Sequence, residues 1–421
     1  MKRRTFLRGL SLSAAATLTY TAWRFWPQPG FGNPCSSGLP PAIYEHPLYE
    51  KIWSGIDPAK VWDSHVHLIG NGDSGKNDAP WLNPRFDGGL NSLRHPLLQL
   101  QKRFFMDGAC VEQHRADESA IERLIELSKE MAPGFKAMLF AFDWWHDDQG
   151  RAIESQSAFH IPNRYAARIA QSAPAYFEWV ASIHPYRPDA ADALHEAKAQ
   201  GARAIKWLPQ VMNIDPRSPA CEAFYRACAE LDMPIISHAG REFALPGKSQ
   251  HLANPLRLRR ALDAGVRVVV AHCATTGSDI DLDAGPQGAR RSSFELFARL
   301  MDTPRYRQLL YGDLSSLPLL NHQSALPALL ENGHWHDRLL NGSDYPLPGI
   351  MPLVDVSWLK RKGLLDEDAA AFLLQIKPYN PLLFDFALKR LLHSGDHHFA
   401  ADIFHTRPFF EKATDVRQPS H

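Results

Sequence analysis

The sequence predicts an α/β protein in which eight parallel strands, joined by helices, close into a (β/α)8, TIM-like barrel. From residue 61 onward, short apolar runs alternate with helical patterns, and eight of these runs have the character of strands. No glycine-rich phosphate turn follows the first run. Such alternation is typical of parallel sheets. Eight strands fit a closed barrel better than an open nucleotide-binding sheet.

The eight runs have the length and composition of buried strands. They are Val61–Leu68, Phe135–Asp143, Phe177–Pro185, Ala202–Pro209, Pro234–Ala239, Val266–His272, Leu309–Leu314 and Arg338–Asp344. Helical spacing is clear at Ala190, Leu194 and Ala197, after Asp189 and before Gly201. Most βα loops are short, so the stretch 69–134 predicts an insertion with its own structure over the barrel mouth.

The N-terminus has the pattern of an export signal. Residues 2–8 read Lys-Arg-Arg-Thr-Phe-Leu-Arg and precede a modest apolar stretch from Leu10 to Ala22. The segment resembles a bacterial twin-arginine signal, which implies contact with the twin-arginine export machinery and a periplasmic or otherwise exported protein. The alternative is the basic start of a short buried helix. The apolar run is shorter than a membrane span, yet an uncleaved N-terminal membrane anchor stays open because the cleavage site is weak.

The pattern divides the chain into four segments. They are a signal segment at 1–26, a linker and N-terminal extension at 27–59, the barrel at 60–392 and a C-terminal tail at 393–421. Basic and acidic residues balance at 46 each, which argues against a nucleic-acid partner. The five cysteines form neither a zinc-type pair nor a disulfide framework, although one disulfide stays open in an oxidising compartment. The sequence also allows the chain to form a homo-oligomer.

Ligand-type side chains recur at one position of four predicted strands. The first strand ends with His65 and His67, and alternate residues of a strand point to the same face. His238 ends the fifth strand, His272 the sixth and Asp344 the eighth. A lone buried histidine is more often a satisfied core residue. Five such residues at the strand ends, where barrel active sites lie, predict a shared site.

Imidazoles and a carboxylate predict one divalent metal, with Zn²⁺ favoured and Fe or Mn also accepted. The expected ligands are His65, His67, His238 and Asp344. The expected catalytic residues are Asp344, which also contacts the attacking water, and His272, which polarises a carbonyl or shuttles a proton.

This order of H-x-H, His, His and Asp resembles the amidohydrolase superfamily. Finer motifs resemble its amidohydrolase-2 branch, which includes aminocarboxymuconate-semialdehyde decarboxylase and pyrone-dicarboxylate lactonase. These motifs are Asp63–His67, Ile205–Pro209, Pro234–Gly240, Val270–Cys273, Gly342–Pro346 and Asn380–Phe384. The resemblance covers roughly residues 60–390. It implies a distorted barrel, a divalent metal that is usually zinc, and hydrolysis or, less often, decarboxylation.

The resemblance also gives Lys206 two interpretations. Binuclear amidohydrolases carry a carboxylated lysine on the fourth strand, which makes Lys206 a candidate ligand of a second metal. Mononuclear sites are common in the resembling branch, so one metal is favoured. Lys206 is otherwise expected to be a buried cation paired with a carboxylate.

Three residues just beyond strand ends are candidate substrate contacts. Arg241 suits the recognition of a carboxylate on a small-molecule substrate, and the alternative is a surface ion pair with Glu242 or another neighbour. Trp145 and Trp207 are expected to line the pocket, and for Trp145 aromatic packing under a loop is the alternative.

Three functions are consistent with the sequence. The favoured one is hydrolysis of a C–O or C–N bond in a lactone, ester or amide of a small organic acid. The second is metal-dependent decarboxylation of an unsaturated or aromatic acid. The third is a non-catalytic periplasmic metal-binding protein, which predicts a closed metal site with no pocket above it.

Overall fold

The centre of the molecule is a barrel of eight parallel strands, β1 to β8. The structure, a computed structural model, describes residues 32–87, 94–247 and 249–411. The strands span Trp62–His67, Lys136–Phe140, Phe177–Val180, Ile205–Trp207, Ile235–His238, Val268–Ala271, Leu310–Asp313 and Leu339–Leu340. Each strand lies within one of the eight predicted apolar runs. The predicted (β/α)8 fold is therefore confirmed.

Hydrogen bonds close the strands into a ring. Strands β1 to β3 form one parallel sheet and β4 to β8 form another. Ala181, just beyond β3, pairs with Ile205 of β4, and Val66 of β1 pairs with Tyr345 beyond β8. These parallel bridges join the two sheets, so the C-terminal ends of all eight strands lie at one end of the barrel.

Alternating strand residues fill the barrel interior. Trp62, Val180 and Ile236 belong to one buried apolar cluster, which Phe410 near the end of the described chain also joins. Successive strand residues face opposite sides of a sheet. His238 lies two residues after Ile236, so its side chain also faces the barrel interior. The polar strand ends therefore lie on top of an apolar interior.

Helices surround the barrel. They span Pro41–Tyr44, Pro47–Trp53, Pro96–Gly108, Ala116–Lys129, Asn163–Ser172, Ala190–Ala199, Pro209–Met212, Glu222–Glu230, Arg259–Asp263, Ser293–Met301, Leu326–Glu331, Val356–Arg361, Glu367–Ile376, Pro381–Leu391 and Arg407–Phe410. The predicted helix after Asp189 is present and ends before Gly201, whose φ of 90° suits glycine. The side chain of Asn380 caps the helix Pro381–Leu391 by accepting the N–H groups of Leu382 and Leu383.

The insertion between β1 and β2 covers the barrel mouth, as its length predicts. Its two-residue strand Trp81–Leu82 pairs with Phe159–His160. The helix Pro96–Gly108 of the same insertion faces the mouth with Phe104, Phe105 and Met106.

A disulfide between Cys35 and Cys110 joins the N-terminal extension to this insertion. Cys221, Cys228 and Cys273 are buried free thiols. Within the predicted linker and extension, the described residues 32–59 contain two short helices. Within the predicted tail, residues 393–411 contain a strand pair and the helix Arg407–Phe410, which packs against the start of β1.

The predicted signal segment at 1–26 and the last ten residues lie outside the described residues. In the ranges that are described, no helix combines the length and apolar character needed to span a bilayer.

Candidate metal centre

Ligand-type side chains from five strands meet inside the C-terminal end of the barrel. His65 lies in β1, Lys206 in β4 and His238 at the end of β5. His272 directly follows β6, and Asp344 follows β8. All five side chains are almost fully buried. The fold thus gathers residues that are spread along most of the chain into one cluster.

Asp344 lies among three of the predicted imidazoles. Its Oδ1 atom is 3.1 Å from Nε2 of His67 and 3.5 Å from Nε2 of His65. Its Oδ2 atom is 3.7 Å from Nε2 of His272 and accepts a hydrogen bond from the hydroxyl of Ser316. Ligand atoms of His65, His272 and Asp344 all lie within 4.8 Å of one another, which is close enough to share one ion.

His238 presents a buried nitrogen that lacks a protein partner. Its Nδ1 atom is 3.5 Å from Oε2 of Glu242, and its ring lies 5.2 Å from the ring of His272. Its Nε2 atom is buried and has no hydrogen-bond partner among the described residues. A buried polar atom is costly unless a ligand satisfies it. This atom therefore fits a metal ion at the cluster.

The protonation states of the cluster also suit a metal. Burial and the cation of Lys206 lower the pKa of His65 to about 3, and burial lowers the pKa of His238 well below its ordinary value. The pKa of Asp344 lies well below its ordinary value. Burial alone would raise this pKa, but the interactions of the carboxylate with His65, His272 and His67 lower it by more. Neutral nitrogens and an ionised carboxylate are the donors that a divalent cation such as Zn²⁺ accepts.

Lys206 lies against the same imidazoles. Its Nζ atom is 2.9 Å from Nε2 of His65 and 4.8 Å from the centre of the Phe140 ring. Burial lowers the pKa of Lys206 to about 8, although Asp313 and Asp344 oppose this effect. Among the described residues Lys206 has no ion pair with a carboxylate within 4.0 Å, and its closest polar partner is the His65 ring. The predicted pairing of Lys206 with a carboxylate is therefore not found.

Asp313 and Ser315 contact the Nδ1 atoms of two imidazoles of the cluster. The sequence prediction did not include Asp313. Oδ2 of Asp313 lies 2.9 Å from Nδ1 of His65. The hydroxyl of Ser315 lies 3.0 Å from Nδ1 of His65 and 2.7 Å from Nδ1 of His272. These contacts direct the Nε2 atom of each ring toward Asp344. The available signal was an aspartate at the end of the seventh apolar run.

Two further polar residues at the site come from loops beyond strand ends. The Nδ1 atom of His322 lies 2.7 Å from the hydroxyl oxygen of Thr275, within hydrogen-bond distance. The centre of the His322 ring lies 5.4 Å from the centre of the His272 ring. Burial lowers the pKa of His322 to about 3 and raises the pKa of Glu242 to about 7. Both residues line the cavity above the cluster. In the sequence they are ordinary polar loop residues.

A cavity of about 550 Å³ opens directly above the cluster. Arg241 lies at its rim, where the exposed guanidinium is 5.1 Å from the ring centre of Phe243. Glu242, the alternative partner of Arg241, instead directs its carboxylate to His238 and to the backbone N–H of Leu245. The predicted ion pair of Arg241 with Glu242 is therefore not found, and Arg241 lines the rim of the cavity.

The two tryptophans occupy other places. Trp207 is fully buried, donates its indole N–H to the carbonyl of Ile183 and stacks on Phe224 of a surrounding helix. Because Lys206 faces the interior, the next residue must face the helices, which argues against the predicted contact of Trp207 with substrate. Trp145 lines a separate cavity of about 80 Å³ with Gln210.

Comparisons with known proteins give a consistent result. A family model described as amidohydrolase matches residues 140–373, which is more than half of the chain. No curated protein sequence matches the chain.

Solved structures of similar architecture have low sequence identity to the chain. An uncharacterised TIM-barrel protein from Bordetella bronchiseptica is 17% identical, with a TM-score of 0.42 and coverage of 79% of this chain and 95% of that chain. A probable 2-pyrone-4,6-dicarboxylic acid hydrolase from Acinetobacter baumannii is 15% identical, with a TM-score of 0.42 and coverage of 82% and 99%. For 5-carboxyvanillate decarboxylase from Sphingomonas paucimobilis, the identity is 13%, the TM-score 0.41 and the coverage 74% and 95%.

The barrel, the gathered histidines and aspartate and the family match agree with the motifs found in the sequence. The chain is an enzyme of the amidohydrolase family, in its amidohydrolase-2 branch.

Proposed function

We propose that the chain is a metal-dependent hydrolase that cleaves a C–O or C–N bond in a lactone, ester or amide. The main support is the contact of the Asp344 carboxylate with Nε2 atoms of His65, His67 and His272. This contact lies at the floor of a cavity large enough for a small-molecule substrate. Such an arrangement suits the attack of water on a carbonyl carbon.

In this proposal His65, His67, His238 and Asp344 hold one divalent cation, and their nitrogen and oxygen donors favour Zn²⁺. The unpartnered Nε2 atom of His238 and the ionised Asp344 support this ligand set. When bound, such a cation supplies Lewis acidity and lowers the pKa of water so that hydroxide forms near neutral pH. Lys206 is the residue that would join a second cation.

Asp344 and His272 are proposed to move the protons. Asp344 accepts a proton from the attacking water and passes it to the leaving oxygen or nitrogen as the bond to carbon breaks. Nδ1 of His272 lies 3.1 Å from the carbonyl oxygen of Ser315, a contact that assigns the ring proton to Nδ1. Nε2 of His272 is then a proton acceptor. Of the two expected roles for His272, proton shuttling therefore fits better than carbonyl polarisation.

The experiment measures the metal content of the purified protein and then screens the metal-loaded protein against lactones, esters and amides. A parallel assay measures CO2 released from unsaturated and aromatic acids. Hydrolysis products without CO2 support the proposal, and CO2 without hydrolysis replaces it with decarboxylation. Bound metal with neither product supports a non-catalytic metal-binding protein, although the open cavity favours turnover.

We also propose that the protein acts after export, in the bacterial periplasm. The disulfide between Cys35 and Cys110 supports this location, because disulfides persist in oxidising compartments. The twin-arginine pattern at residues 2–8 points to the same destination. Fractionation of cells that express the full chain tests the proposal, and a protein confined to the cytoplasm with free thiols at both positions would reject it.

A further inference from the structure

The walls of the cavity above the metal cluster are mostly apolar, although the floor is polar. Eight separate segments of the described chain contribute apolar side chains to these walls. Examples are Phe105, Phe159, Ile161, Leu208, Leu319 and Ile350. Because these residues come from the insertion and from loops beyond several strands, the apolar surface is a shared property of the mouth and not of one loop.

The polar residues that line the cavity are fewer than the apolar ones, and beyond the cluster and Arg241 they include Gln101, Lys102, Glu242, Asn321 and His322. His65, His238, His272 and Asp344 lie at the floor. Arg241 lies at the rim, and its guanidinium is held over the ring of Phe243. A ligand that enters this cavity therefore meets mainly apolar side chains above the ionic floor.

The rim itself exposes large apolar side chains. Phe243 is 55% exposed and Leu320 is 49% exposed, and both line the cavity. On the neighbouring helix, Gln101 donates a hydrogen bond to the carbonyl of Phe243, so this helix borders the same rim. Exposed apolar residues around an opening are typical of sites that receive an apolar ligand.

We infer that the substrate carries a bulky apolar body, such as a long alkyl or aryl group, attached to the ester, lactone or amide that is cleaved. This inference rests on the proposed hydrolase function and names its substrate class. A small polar acid would leave the apolar walls facing water. An apolar body removes those walls from water, and each buried methylene then tightens binding about threefold to fourfold.

The test measures binding, so it does not depend on turnover. Straight-chain carboxylates of about four to ten carbons are titrated into the metal-loaded protein by calorimetry, with carboxylates of equal length whose chains carry ether oxygens in place of alternate methylenes as controls. We expect the dissociation constant to fall about threefold to fourfold per methylene for the alkyl carboxylates. The ether carboxylates should show a much weaker trend, because their oxygens would lose hydrogen bonds to water against apolar walls. Equal affinity along the series, or equal affinity for both classes, would overturn the inference.

Two matched variants locate the effect. Phe243→Ser removes an exposed apolar side chain at the rim, and Tyr44→Ser removes one that is 44% exposed beside Glu50 and Lys129, away from the cavity. The first variant should weaken binding of the ten-carbon acid several-fold and leave that of the four-carbon acid unchanged, and the second should change neither. Identical effects of the two variants would contradict the inference.

The same experiment separates this inference from the proposed function. A chain-length trend in binding without hydrolysis of any ester, lactone or amide would reject the hydrolase and retain the apolar binding site. Hydrolysis without a chain-length trend would retain the hydrolase and reject the substrate class.

Discussion

Nδ1 of His65 lies 2.9 Å from Oδ2 of Asp313, a fully buried carboxylate at the end of β7. The other oxygen of Asp313 accepts the backbone N–H of His272 at 2.8 Å and that of Ser315 at 3.1 Å. One carboxylate therefore positions the ring of one histidine and the backbone of another. This arrangement resembles the carboxylates that orient metal-bound histidines from behind in many proteins.

Substitution of Asp313 by asparagine should weaken metal binding without removing a proposed ligand. The amide has a single accepting oxygen, so it cannot accept both from Nδ1 of His65 and from the backbone N–H groups of His272 and Ser315. The His65 ring then loses its fixed tautomer or orientation. We expect metal affinity to fall about 10-fold to 100-fold in a competition titration with a chelator. Asp337→Asn is the control, because Asp337 is an exposed partner of Arg307. Unchanged affinity in Asp313→Asn would show that Asp313 does not position the site.

The backbone at Gly342 approaches the cluster so closely that it leaves no room for a side chain. A Cβ atom there would lie 2.8 Å from Cβ of His65 and 2.9 Å from Oγ of Ser64. Gly342→Ala should therefore displace β1, lower the free energy of unfolding by about 1–3 kcal/mol and reduce metal content. In the control Gly333→Ala, the new Cβ meets nothing within 4 Å. Chemical denaturation of both variants, with metal analysis, checks the prediction; equal stability would contradict it.

The sequence predicts the barrel well because its signals are local. Each strand is an apolar run between helical patterns, and parallel strand ends must meet at one end of a barrel, which brings His238 and Asp344 together. The same rule applies to Asp313 at the end of the run Leu309–Leu314, so the sequence also carries a signal for this residue, which the predicted site does not include. The outward direction of Trp207 follows from strand alternation, so that information was also present in the sequence.

The cavity and the disulfide were harder to predict because they depend on tertiary packing. Phe105 reaches the cavity only because the insertion folds back over the barrel mouth. Cys35 and Cys110 are separated by 75 residues, and no local pattern pairs them. Sequence spacing carries no information about how an insertion of this length docks.

Loss of the disulfide should destabilise the protein. The bond closes a long loop that includes β1 and much of the insertion, so its removal increases the conformational entropy of the unfolded chain. We expect the double variant Cys35→Ser, Cys110→Ser to lose about 2–4 kcal/mol of unfolding free energy. Urea denaturation measures this loss. A reductant should reproduce it in the wild type and have no effect on the variant, and an unaffected wild type would contradict the prediction.

Lys377 should make stability rise with pH. Its buried Nζ atom donates to the carbonyls of Met351 at 2.7 Å and Val354 at 3.0 Å. Burial lowers its pKa from 10.5 to about 7, although Asp355 opposes this effect. Between these two values the unfolded state binds more protons than the folded state, so the free energy of unfolding increases as pH rises through this interval.

Lys377→Met should remove that contribution. The gain in unfolding free energy from about pH 7 to about pH 9 is expected to be smaller than in the wild type, by an amount on the order of 2 kcal/mol. Denaturation at both pH values provides the measurement. Lys360→Met, at a more exposed lysine that pairs with Glu367, should keep the wild-type dependence. An identical pH dependence in all three proteins would rule out titration of Lys377 in this range.

Metal content and turnover of Asp344→Asn, measured on the same preparations as the wild type, test the metal-dependent mechanism at its centre. We expect about one divalent cation per wild-type chain. The variant should keep most of this metal, because the imidazoles remain, and its kcat should fall at least about 1000-fold because the proton acceptor is lost. A wild-type protein that binds no divalent metal, or a variant with unchanged kcat, would show that Asp344 does not act with a metal in this way.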